Sequence, residues 1–250
     1  MSGRTIIARR ILLRLEPGAA RDGGLAAAAR MARAFHAELA ARLILDTRLA
    51  GAVTIPVAST RATARESSSS QSVIARRAEI AFRQTISTLA EREQATWSFA
   101  VVECAGFLSK GDAVEPDDLV AIELPRLEVA LGDLRREVEG ALARARGVVL
   151  FPSGLASNEG PIVAIVRGGK ASGSLVEQAE RIAAALDAPL LPLAPTAERT
   201  DARTFAAAVR QRRAALAVIA ADDPIAREFL ARTRFLRELG APLLLLKSTA

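Results

Sequence analysis

The chain has 250 residues, half of them hydrophobic, a length that supports one large packed core or two modest ones. Its net charge is +6, and all but Lys110, Lys170 and Lys247 of its 34 basic residues are arginine; pairs such as Arg9–Arg10, Arg76–Arg77, Arg135–Arg136 and Arg212–Arg213 are scattered and interleaved with glutamate, as on solvated helix faces, without the basic stripe of a nucleic-acid binder. Cys104 and His36 are the only residues of their kinds, which excludes a disulfide framework and a thiolate metal cluster, leaves a zinc site or a Ser-His-Asp triad resting on one histidine, and fits a reducing cytosol.

The opening "MSGRTIIARRILLRLEP" has an apolar run too short for an export signal or a membrane span, so the expectation is a soluble, cytoplasmic chain with no membrane partner. Strand and helix patterns then alternate, the signature of parallel βαβ units. "RILLRLEP" (10–17) reads as a strand ending in a Pro-Gly turn. "GGLAAAARMARAFHAEL" sets Leu25, Ala28, Ala32 and Phe35 on one helical stripe. His36 falls at the end of that helix, where a cation favours the dipole. "AARLILD" returns as a strand. The stretch 47–72, with its serine run, reads as irregular, low-complexity and too long for an ordinary connection, hence mobile or partner-facing.

"SVIARRAEIAFRQTISTLAERE" is a long helix with Ile74, Ala78, Ala81 or Phe82, Thr85 and Leu89 inward. "ATWSFAVVECAG" follows as a strand whose Trp97 and Phe99 belong to the core. "DDLVAIELP" is a strand, "LGDLRREVEGALARAR" a helix and "GVVLFPSG" a fifth strand. "SGLASNEG" (153–160) is a turn-rich linker, after which the pattern restarts. Ile162 takes the place of Ile11, Arg167 that of Glu16 and, after one gap, Leu175 that of Leu25. "DLVAIEL … GVVLFP" parallels "ALAVIAA … APLLLLK". The implied organisation is a duplication, 1–153 and a shorter 160–250 that lacks a counterpart of the Trp97 strand.

These phrases, "RILLRLEP", "LAAAARMARAFHAEL", "DLVAIE" and "PLLLLK", with "PIVAIV", "RIAAALDAPLLPL" and "ELGAPLLLLK" repeating them, resemble a universal stress protein domain. The resemblance implies an α/β fold of two tandem flavodoxin-like or Rossmann-like parallel-sheet units, the second shorter. It also implies a cytoplasmic regulatory role in stress and dimerisation at the sheet edge through the last strand. The family's nucleotide-binding branch carries Gly, two residues, Gly, nine residues, Gly and then Ser or Thr after the fourth strand. Here Ser174 to Leu239 contains no glycine, and Gly132 and Gly140 are misplaced in the first half.

Two stretches remain as ligand loops. In "AADDPIAREF", Asp223 before Pro224 has the form of an N-cap followed by proline at the first helical position, and Asp222 adds a second negative charge. The pair either fills the place of a phosphate or holds Mg²⁺ for one. "VRGGKASGS" (166–174) offers Arg167, Gly168, Gly169 and Lys170 ahead of a helix. Its order departs from the P-loop, and it serves either as an anion loop or as a turn capped by Ser172 or Ser174. Where nucleotide-binding relatives keep an acidic residue after the first strand, the first half has Glu16 and the second Arg167. No nucleophile with a base accompanies the Asp117–Asp118 or Asp222–Asp223 pairs, so no catalytic or metal-ligating residue is expected. The reading is a non-catalytic regulatory module with no cofactor, working on a protein partner or as a homodimer. The alternative is a switch holding ATP or AMP at the first half or at "RGGKASG", and the third is polyanion binding by arginine surfaces.

Overall fold

The computed structural model describes residues 7–15, 23–46, 63–104, 114–124, 131–152, 159–166, 170–194 and 201–247. In order they form β1 (Arg10–Leu15), α1 (Gly23–Phe35), β2 (Glu38–Asp46), α2 (Thr63–Glu93), β3 (Trp97–Cys104), β4 (Asp118–Glu123), α3 (Leu131–Arg144) and β5 (Gly147–Phe151). There follow β6 (Ile162–Ile165), α4 (Lys170–Ala185), β7 (Leu190–Leu193), α5 (Ala202–Gln211), β8 (Leu216–Ala220), α6 (Pro224–Ala231), α7 (Thr233–Leu239) and β9 (Leu243–Leu246). No helix among the described residues is long and apolar enough to cross a membrane.

All nine strands share one sheet, ordered β3-β2-β1-β4-β5-β9-β8-β6-β7. Each neighbouring pair is parallel, except β5 and β9, which run antiparallel from Gly147↔Leu246 to Leu150↔Leu243. The strands of the first stretch therefore run one way and those of the second the other, and their carboxyl ends lie at opposite edges of the sheet. The α/β class and parallel-sheet units expected from the sequence are present, and β8 follows α5 with no strand matching β3.

Two expectations are corrected. Helix α2 begins at Thr63, so the serine run 67–70 lies in a helix and not in an irregular segment; residues 47–62 fall outside the described residues. The last strand, β9, lies between β5 and β8 and has no free edge for dimerisation.

The strands are near-continuous apolar runs because helices cover both faces of the sheet. β5 and β9 are buried at every residue. On one face Leu25, Ala28, Ala32 and Phe35 of α1 pack with Phe82 and Ile86 of α2, Leu175 and Ile182 of α4, and strand residues from Ile11 to Leu246. On the other, α3, α5, α6 and α7 converge, with Phe205 and Phe229 edge to face at 6.1 Å. Both clusters cross the β5–β9 seam.

Four helices end in one motif. His36, Gln94, Asp187 and Arg213 lie in the left-handed region at φ 54°, 54°, 50° and 48°, and each precedes an alanine whose N–H donates five residues back. Those bonds run from Ala37 to Ala32, Ala95 to Ala90, Ala188 to Ala183 and Ala214 to Val209. Gly240 repeats the conformation before Ala241 at the end of α7.

Candidate functional site

In a doubly wound sheet, ligands bind beyond the carboxyl ends of the strands where successive connections leave in opposite directions. This sheet has two such points, between β1 and β4 and between β6 and β8. At the second, Ile162 to Ala164 of β6 pair with Leu216 to Val218 of β8, so the chain leaves both strands at one edge. Lys170 opens α4 after β6, and Asp222 and Asp223 follow β8. The structure thus brings the lysine loop and the acidic pair to neighbouring strand ends. Arg167, Gly168 and Gly169 lie outside the described residues, as does Glu16, and the strand that Glu16 follows, β1, ends at the opposite edge. The carboxyl end of β1 and those of β6 and β8 therefore belong to different crevices.

Asp223 is the N-cap of α6, with Pro224 at the first turn and extended backbone at φ −62°, ψ 137°. Its Oδ1 accepts the Ile225 N–H at 2.8 Å, its carbonyl accepts the Arg227 N–H at 3.3 Å, and its own N–H donates to the Ala220 carbonyl at 3.0 Å. The residue is 8% exposed. A buried carboxylate thus meets the partial positive charge of the helix end, while Asp222 beside it is exposed.

The amino end of α5, at the same edge, is occupied in the same way. Asp201 Oδ1 accepts the Thr204 N–H at 2.7 Å, and Glu228 of α6 reaches across to accept the Ala202 N–H at 3.0 Å. The backbone hydrogen bond from Thr204, and next the Thr204 side chain, hold the Asp201 carboxyl below its usual value. In the other crevice α1 starts against β4 and β5: a Cβ on Gly24 would lie 3.5 Å from the carboxyl carbon of Glu123 and 3.2 Å from Cβ of Phe151. Glycine permits that close approach, and an acidic side chain again stands beside the helix start. Sequence reading passed over Glu123; its one signal is that "AIE" at the end of β4 takes the place of "VIA" at the end of β8, just ahead of Asp222 and Asp223.

The other acidic pair has a structural part. Asp118 is fully buried and accepts Arg10 Nε at 2.9 Å, Arg10 Nη2 at 2.6 Å and the Glu115 N–H at 2.8 Å. That bond to Asp118 raises the Arg10 pKa. His36 is exposed and immediately follows α1, and its N–H donates to the Arg33 carbonyl. It lines an open cleft of about 790 Å³ where α1, α2 and α4 end, with Arg30, Arg33, Glu93, Gln94 and Asp187. Among the described residues no three of His, Cys, Asp and Glu gather as metal ligands would.

No family model matches the chain, and no curated protein matches it. Solved structures do. A functionally unknown protein from Pseudomonas aeruginosa PAO1 is similar over 96% of this chain and 93% of its own, with a TM-score of 0.58 and 14% identity. A universal stress protein from Archaeoglobus fulgidus DSM 4304 is similar over 97% of this chain and 98% of its own, with a TM-score of 0.55 and 9% identity. At these identities the likeness establishes the fold.

Proposed function

We propose that the chain is a universal stress protein-like regulatory protein, non-catalytic and cytoplasmic, that acts by binding a protein partner or a second copy of itself and holds no nucleotide. In this reading it consists of two copies of one α/β unit, the second shortened, joined along the β5–β9 seam. The observation that carries the ligand part is the Asp223 cap: at the β6/β8 switch point the helix N–H that would receive a phosphate is bonded to the protein's own carboxylate at 2.8 Å. Glu123 beside Gly24, and Asp201 with Glu228 at α5, extend the same substitution to other helix starts. A like-charged phosphate entering beside Asp222 and Asp223 meets repulsion as well as lost space.

The test is calorimetric titration of the full chain with Mg-ATP and with AMP, together with mass spectrometry of any small molecule released on denaturation. The expected result is no heat of binding and no carried nucleotide. Micromolar binding of either ligand would overturn the reading in favour of a nucleotide switch, with Lys170 at the head of α4 as the first residue to replace.

A further inference from the structure

The sheet ends in two unlike edges. β7 is four residues long and carries Pro192, which has no N–H to offer an added strand. β3 has eight residues, and Trp97 to Val102 contain neither charge nor proline. Natural sheets block free edges with short strands, charges or proline. β7 is blocked by two of these devices, whereas β3 from Trp97 to Val102 has none. Among the described residues the exposed large apolar side chains are Ile80, 51% exposed, and Val101, 36% exposed, and both belong to this edge.

Their positions are related. The Arg83 guanidinium lies 5.0 Å from the Phe99 ring centre, which ties that level of α2 to that level of β3. Ile80 is three residues earlier on α2, about 4.5 Å along its axis. Because α2 runs antiparallel to β3, this is roughly 1.4 strand residues beyond Phe99, level with Ala100 and Val101. Ile80 also lies on the Arg83 side of the helix, away from the buried Phe82, Ile86 and Ala90.

We propose that two copies of this chain pair antiparallel through β3, about a two-fold axis at Ala100. That register sets Phe99 of one copy opposite Val101 of the other, an aromatic and β-branched pair favoured across strands, and no charge within Trp97 to Val102 faces its own image. Helix α2 packs over β2 and β3. Two such helices across the axis would stand two strand spacings apart, roughly 10 Å, which is the distance at which helices pack side by side. Ile80 would then meet Ile80 of the other copy. The edge that β9 lacks is thus supplied at the far end of the sheet. This deepens the homodimer part of the function proposed above and is independent of its ligand part.

The test is sedimentation equilibrium of the full chain at micromolar concentrations beside Val101→Lys and Ile80→Glu, with circular dichroism to verify the fold. Wild type is expected to be dimeric, and each variant to weaken association by at least about tenfold, equivalent to about 1.4 kcal/mol. A spin label on Cys104, the only cysteine, reads the register: four residues either side of the axis place the two labels roughly 27 Å apart along the strands. A monomer at every concentration, a dimer indifferent to both substitutions, or a label separation incompatible with this register would each overturn the proposal, and none would alter the titration result for nucleotide.

Discussion

A capping carboxylate stabilises more when it is ionised, and Asp201 makes this measurable. Its hydrogen bonds lower its pKa in the folded chain, so its contribution is full above the unfolded-state value and is lost as pH falls through the folded one. Asp201→Ala is expected to cost about 0.5–1 kcal/mol at neutral pH, toward the low end because the site is exposed. The difference in melting temperature between wild type and Asp201→Asn should be constant from neutral to mildly acid pH and shift against wild type below the ordinary aspartate range. A larger effect belongs to Arg14 of β1, whose Nη1 lies 2.6 Å from Glu137 Oε1 of α3 with both side chains buried. Arg14→Met alone or Glu137→Leu alone should destabilise by about 3–5 kcal/mol by stranding a buried charge, and the double replacement by far less. A double-mutant cycle in urea reads the difference.

At the level of elements, the recurrent helix end is the clearest target. His36, Gln94, Asp187 and Arg213 hold a backbone conformation that costs a side-chain-bearing residue about 1–2 kcal/mol and glycine little. Gln94→Gly and Arg213→Gly are each expected to stabilise by about 0.5–1 kcal/mol, and to add, since they end separate helices. Urea midpoints of the singles and the double check this; a loss of stability would mean that the side chain makes contacts worth more than the strain. The serine run belongs to the same scale. Serine competes for backbone hydrogen bonds and scores poorly as a helix former, yet 67–70 lie within the 31-residue α2, so the weak local preference did not decide the conformation.

For the whole molecule, the seam decides whether there are one or two cooperative units. Both hydrophobic clusters include side chains from either side of it, so calorimetry is expected to show one transition with equal calorimetric and van't Hoff enthalpies. Two transitions would mean independent halves. Gly147 tests the seam directly. A Cβ there would stand 2.6 Å from the Leu245 carbonyl oxygen and 3.1 Å from Leu119 Cδ2. Gly147→Ala should therefore cost about 1–3 kcal/mol through displaced backbone, read as a fall in that single transition.

What the sequence determined by itself was what nearest neighbours along the chain decide. The strand and helix alternation came from hydrophobic period, and the Asp223 cap was legible because an N-cap, the following proline and the bonded Ile225 N–H lie within three residues. Glu123 beside Gly24, Glu228 on Ala202 and the burial of Arg14 with Glu137 join residues 26 to 123 positions apart or strands distant in sequence. No local pattern encodes such meetings. Tertiary structure alone decided that the two stretches share one sheet, that their crevices open at opposite edges, and that β9 spends its free edge on β5. The physical reason is that proline, charge or shortness can mark a strand as an edge, as in β7, but nothing in a strand's side chains names the neighbour that pairs with it, which is settled only when the sheet assembles.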